Sequence, residues 1–198
     1  MDAPQDSMIP HTESFANDLL VAEFNYIANT AFQANEDRAR VSQFFFVTFG
    51  TFVAALFSSQ LSGVDINQVY KAFTVLFVLI GIFGGMTMVQ LARLRLAWIE
   101  SARAMNQIKD GVIKDNPGLE AYFRWKTGTI PPAFKPKSVG FILAVMVALL
   151  SGLAIGSAVA FFWLSVNPDS VTWIWSILLG VLGSAIAFAL CYWRPLTG

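Results

Sequence analysis

The residues of this chain that could do chemistry are few, and their spacing decides against most of it. Glu36, Asp37 and Glu100 offer carboxylates of the kind used in general acid–base work or to hold a divalent cation. Neighbouring residues on a helix point to different faces, so Glu36 and Asp37 do not converge on one proton or one ion. Glu36 and Arg40 stand four apart, the spacing of a helical ion pair, and a solvated, salt-bridged surface is the reading that fits these groups. His11 is alone in a polar tail and Cys191 is the single cysteine, which leaves no metal-ligand set and no intramolecular disulfide. The sequence has no glycine-rich phosphate loop and no His–carboxylate or Cys–His constellation. Neither an enzyme nor a cofactor or metal site is expected.

A weaker polar pattern runs through the first apolar stretch, where Thr48, Thr51, Ala55 and Ser58 share one stripe. In an oligomer such a stripe could line a pore, although hydroxyls of this kind also bond back to their own helix. Phe44, Phe45, Phe46, Phe49 and Phe52 cover much of the remaining circumference, where they would seal a pore or face lipid. No ionisable residue lies well inside any apolar stretch, which argues against a proton-coupled carrier and an intramembrane hydrolase.

The elements that carry these residues are set by four uncharged apolar stretches, roughly Val41 to Leu61, Ala72 to Ala92, Val139 to Val166 and Val171 to Trp193. Each is long enough to cross ~30 Å of hydrocarbon. Composition agrees: of 198 residues 56% are hydrophobic and 13% charged, and a soluble domain carries about twice that charged share. The formal net charge is zero, so nothing draws the chain toward nucleic acid. Of the 13 Lys and Arg residues, all but Lys71 fall on one side of the implied membrane. By the positive-inside rule both termini and the segment Arg93–Lys137 are cytoplasmic, in a cell inner membrane, with loops Ser62–Tyr70 and Asn167–Ser170 outside. Trp163, Trp173, Trp175 and Tyr70 flank the outer loops, and Tyr192 and Trp193 the inner boundary, as amphipathic rings favour. The N-terminal segment is acidic without an early apolar run, so a cleaved signal peptide is not expected.

Residues 1–14 read as a mobile tail. From Phe15 apolar residues recur at helical spacing through Leu20, Phe24, Ile27, Ala31 and Ala34, with no Gly or Pro before Gly50. One helix is therefore expected to run from about Phe15 through the first span. The second span continues likewise into a stripe of Leu94, Trp98, Ser101, Met105, Ile108 and Val112, ending at Gly111 or at Asn116-Pro117-Gly118. Each helix would be about 70 Å long at 1.5 Å per residue. Together residues 15–114 make a long two-helix hairpin whose cytoplasmic part is a stalk, with Leu20, Phe24 and Ile27 packing against Trp98, Met105 and Ile108. Residues 115–138 follow as a cytoplasmic, Pro-rich linker, and 139–198 as a second hairpin. The expected fold is all-α: a polytopic membrane protein with four transmembrane helices in two hairpins.

Small residues at four-residue spacing mark where spans approach closely. Gly81 and Gly85 lie on the second span, Ala148, Gly152, Gly156 and Ala160 on the third, and Ser176, Gly180 and Ser184 on the fourth. Arg38, Arg40, Arg93 and Arg95 fall at the inner interface, where their stems can snorkel and their heads can meet lipid phosphate.

The segments Asp37-Arg38-Ala39-Arg40-Val41-Ser42-Gln43-Phe44-Phe45-Phe46 and Arg103-Ala104-Met105-Asn106-Gln107-Ile108-Lys109, the latter followed by Leu119, Tyr122 and Trp125, resemble small bacterial inner-membrane proteins of the RipA-like type. More loosely they resemble the SLATT group. The resemblance covers about the first two-thirds of the chain and implies a homo-oligomer, with pore-forming effectors among the SLATT relatives; it carries no catalytic residues. Two functions of different class are thus expected. The first is a non-catalytic scaffold or accessory subunit of a bacterial membrane assembly, in contact with the lipid bilayer and forming a homo-oligomer or part of a larger complex. The alternative is an oligomeric channel or pore-forming effector gated from the cytoplasm.

Overall fold

The computed structural model describes residues 9–58, 65–167 and 173–198, with side chains described from residue 14. The start of the N-terminal tail, the His11 side chain, residues 59–64 of the first connection and residues 168–172 of the second lie outside the described residues. Among the described residues every regular element is helical. Four helical segments are long and apolar enough to cross a membrane: Ser14–Ser58, Ile66–Asp115, Val139–Val166 and Trp173–Thr197.

Helix α1 spans Ile9–Ser58 and helix α2 spans Ile66–Asp115, 50 residues each. Helix α1 starts earlier than Phe15, inside the segment read from sequence as tail. Helix α2 passes Gly111 and stops at Asp115, because Asn116 precedes a proline and the helical conformation is disfavoured there. Short 3₁₀ turns follow at Pro117–Tyr122 and Thr127–Thr129. Helix α3 spans Val139–Val166 and opens on Ser138, whose Oγ accepts from the Phe141 amide at 3.2 Å, an N-cap that supplies one orphan donor with its acceptor. Helix α4 spans Trp173–Phe188 and gives way to a π turn at Ala189–Trp193, then a last helical turn, α5, at Arg194–Thr197.

The chain divides into two compact units, and α1 and α2 contribute to both. One comprises residues up to Asn35 together with Leu96–Pro132. Its core holds Ile27, Ala31, Ala34 and Ile99. The Lys109 ammonium sits 5.6 Å above the Phe24 ring, a cation–π contact, and Thr127 Oγ1 donates to Asp110. On the surface Lys126 Nζ donates to Glu120 at 2.6 Å, and this hydrogen bond, with the ammonium charge, holds the Glu120 carboxyl below its usual range.

The other unit comprises Glu36–Arg95 and Ala133–Gly198. In it each apolar helix packs on the next in sequence. Phe44 and Phe45 of α1 meet Phe83 of α2 with ring centroids 5.8 and 5.6 Å apart. Phe73 and Phe77 of α2 meet Phe161 of α3 at 5.2 and 5.7 Å. Ser151 of α3, Met88 and Leu91 of α2 and Phe45 of α1 are all fully buried. Lipid offers no hydrophobic drive between spans, so close fit and dispersion hold this unit together.

Candidate functional site

The α3–α4 seam is built from the small residues that the sequence singles out. A Cβ placed on Gly152 would stand 2.6 Å from the Gly180 carbonyl oxygen and 2.5 Å from Ser184 Cβ. One on Gly156 would stand 2.8 Å from the Ser176 carbonyl oxygen, and one on Gly180 would stand 2.8 Å from that of Gly152. Only glycine fits at these three positions, and the backbones touch along them. Leu149, Leu153, Ile177 and Val181 flank the seam as the walls of an open apolar groove of about 370 Å³. Ser176 is 5% exposed, and its Oγ has no hydrogen-bond partner.

On α2 the contact stripe differs from the one expected. Gly81 does face α3, with a Cβ position 3.1 Å from Ile155 Cγ1, but Gly85 meets nothing within 4 Å. Gly84 makes the close approach instead: a Cβ there would collide with Ser151 Oγ and lie 3.2 Å from the Phe45 ring. Spacing alone could not choose between Gly84 and Gly85, because Ser151, the neighbour of Gly84, lies on another helix. Of the phenylalanines around α1, Phe45 and Phe49 are buried whereas Phe44 and Phe52 are exposed. Two hydroxyls of the expected pore stripe are engaged within their own helix. Thr51 Oγ1 donates to the Val47 carbonyl and Ser58 Oγ to that of Ala54, both at 2.8 Å and both on exposed residues, while Thr48 is half-buried.

The four boundary arginines separate into two pairs. Arg40 and Arg93 are exposed, and Arg40 pairs with Asp37 at 3.6 Å rather than with Glu36. The side chain three residues back on the helix meets the guanidinium, and the pair is a solvent-screened one of small worth. Arg38 and Arg95 turn inward. Arg95 is 9% exposed, and its Nε donates to the Ala133 carbonyl at 3.2 Å. Arg38 Nη1 lies 3.1 Å, and the Tyr192 hydroxyl 3.6 Å, from the point where Gly140 would carry a Cβ. Arg95 is within electrostatic reach of both Arg38 and Tyr192. Tyr192, read from sequence as an interfacial anchor, is 3% exposed. The π turn inserts an extra residue into the helical register there, a distortion that recurs at functional sites. Phe188 lies 5.5 Å from the Tyr192 ring and 5.9 Å from Phe141 of α3, which fixes the phenol in place. The chain enters α3 through Lys137 at φ 64°, a left-handed conformation that costs a non-glycine residue on the order of 1 kcal/mol.

In the first unit, Leu20 and Ile27 of α1 and Ile108 and Val112 of α2 line one open hollow, together with Ala104 and Gly111. Leu20 and Ile108 thus border the same hollow, and Phe24 lies beneath the Lys109 ammonium. Trp98 and Met105 are half-buried. Sequence reasoning missed how much of α1 stays uncovered. Phe15, Leu19, Val21, Tyr26 and Phe32 are between 59% and 69% exposed. Phe15, Leu19 and Tyr26 share one helix face at spacings of four and seven, and Val21 and Phe32 a second, eleven apart.

No group of three or more His, Cys, Asp or Glu side chains that could hold a metal ion occurs among the described residues. No family model, characterised protein or solved structure matches the chain.

Proposed function

We propose that this chain is a non-catalytic membrane scaffold or accessory subunit that assembles with further copies of itself. The observation that carries the reading is the apolar surface of α1 before its membrane span. A helix in water is stable with one apolar stripe turned inward, whereas this one has Ile27, Ala31 and Ala34 buried and two more ridges of large apolar residues exposed. Covering those ridges requires another protein surface, and a second copy supplies an identical one. The resemblance to RipA-like and SLATT-like proteins, which implies homo-oligomers, points the same way. Changing Leu19 and Tyr26 together to Ser removes one ridge and leaves the buried face intact. The purified variant is expected to shift toward smaller assemblies in native-detergent sizing at unchanged helix content; an unchanged size would count against the reading.

Within that assembly the four spans form two hairpins in a cell inner membrane, with both termini and the segment between α2 and α3 cytoplasmic. The placement of every Lys and Arg except Lys71 supports this orientation. In a Cys191→Ala background, an impermeant thiol reagent applied to intact cells should modify a cysteine placed at Asn67 and spare one at Lys114. The reverse labelling pattern would invert the topology.

A further inference from the structure

We propose that the uncovered face of α1 docks on the aromatic segment after α2 of a neighbouring copy, so that copies join head to tail. The inference rests on the assembly reading above and names the surface that answers the α1 ridge. A second uncovered apolar surface lies in the same compact unit, on residues 117–126. Leu119 and Tyr122 stand three apart on a 3₁₀ turn and so share a face; both are exposed, Tyr122 by 82%. Trp125, three residues on, is 60% exposed. Charge distinguishes the two surfaces. Asp18 and Glu23 flank the face of Phe15, Leu19 and Tyr26 on either side, and the chain has no Lys or Arg before Arg38. Residues 93–137 carry nine Lys and Arg against four Asp and Glu. Near the aromatic rings Glu120 accepts from Lys126 and Asp110 from Thr127, which leaves Lys114, Asp115 and Arg124, all exposed and positive in sum. No ion pair among the described residues engages Asp18, Glu23, Lys114 or Arg124. Copies inserted in one membrane share one orientation, so ridge against ridge would set each of these carboxylates opposite its own counterpart, and like charges repel there. Ridge against aromatic segment sets carboxylates opposite cations instead. The levels agree as well. Thr127 donates to Asp110, and Lys109, one residue earlier, sits over Phe24, so the aromatic segment is held level with the α1 ridge. Leu20, Ile108 and Val112, bordering one hollow, give the same alignment. Asp110 follows Ala92, the end of the second apolar stretch, by about 18 residues of unbroken helix, or about 27 Å. Headgroups extend only about 5–8 Å beyond the hydrocarbon, so a protein surface rather than a lipid one suits these rings. A ring closed by this contact covers both surfaces of every copy, whereas a two-fold pair through the ridges leaves the aromatic segment bare.

The test uses the full-length protein in isolated membranes, in a Cys191→Ala background, with two co-expressed chains that carry different tags. One chain has Leu19→Cys and the other Trp125→Cys, and mild oxidation is followed by detection of both tags in one band. A mixed dimer is expected, severalfold stronger than the dimer formed by Leu19→Cys chains alone, and Tyr122→Cys should serve in place of Trp125→Cys. Arg124→Glu should lower the mixed dimer severalfold. Adding Asp18→Lys and Glu23→Lys to the Leu19→Cys chain should then restore it, a rescue that a merely misfolded variant would not show. Dimers of Leu19→Cys chains alone that equal the mixed dimer would show ridge meeting ridge, and would overturn the proposal while the assembly reading stands. Two outcomes would do the same: complexes of two or more copies, counted by native mass spectrometry, in which no mixed dimer forms, or capture of Trp125→Cys by a lipid-borne reagent instead. A single copy in every particle would remove the assembly reading and this proposal with it.

Discussion

Leucine at Gly152 or Gly156 is expected to force α3 and α4 apart and to destabilise the protein by about 1–3 kcal/mol or more, the scale of an overpacked contact. The reason is that the obstruction is backbone. A Cβ on Gly152 already falls 2.6 Å from the Gly180 carbonyl oxygen, and one on Gly156 falls 2.8 Å from that of Ser176. A side-chain neighbour could change rotamer, but a helical carbonyl can yield only if the whole helix moves. Even alanine should therefore be costly at these positions. Gly85→Ala is the matched control, since nothing lies within 4 Å of it, and alanine there should be neutral or slightly stabilising through helix propensity. Thermal unfolding of the purified variants in detergent gives the comparison. Glutamine at Glu36 or Glu100 should leave the midpoint unchanged. A Gly156→Leu protein as stable as wild type would show that the seam is not a close backbone contact.

Phe45→Ala should be the most damaging single truncation among the phenylalanines of α1, by about 3–5 kcal/mol. Phe45 is fully buried and meets three helices' worth of partners: Phe49 on its own helix, Phe83 on α2, and the place where Gly84 admits Ser151 of α3. Removing the ring empties a space that neither Gly84 nor Ser151 can fill, and the lining loses its dispersion contacts outright. Phe44 is 65% exposed, so Phe44→Ala forfeits little beyond its edge contact with Phe83. Denaturant unfolding in mixed micelles should place Phe45→Ala far below Phe44→Ala. Equal losses would mean that the two rings are equally packed.

The difference between these neighbouring phenylalanines shows where sequence reading reaches its end. The apolar stretches are visible because a bilayer imposes a length and forbids charge, two conditions met residue by residue. The α3–α4 seam is visible because its small residues repeat every four positions on both partners. A helix that is apolar all round, as α1 is from Val41 onward, has no such internal signal, so Phe44 and Phe45 look alike until α2 and α3 are placed beside them. Gly84 was hidden for the same reason, behind the more regular pair Gly81 and Gly85. The arginine cluster was half legible. Charge placement puts all four arginines at one boundary, but that Arg38 lies beside Gly140 and Tyr192 and that Arg95 is buried depend on how the other helices pack. Nothing in the apolar run before Tyr192 announces the π turn there. The exposed ridges of α1 are legible as apolar residues, but that they stay uncovered depends on which single face of α1 the packing buries.

The central claim, that the uncovered surface of α1 is an interface between copies, is tested most directly by counting subunits of the wild-type protein in native membranes extracted without detergent, by native mass spectrometry of polymer-bounded nanodiscs. Complexes containing two or more copies, reduced when Leu19 and Tyr26 are changed to Ser, are the expected result. A single copy in every particle, with Phe15, Leu19 and Tyr26 accessible to surface labelling, would contradict it.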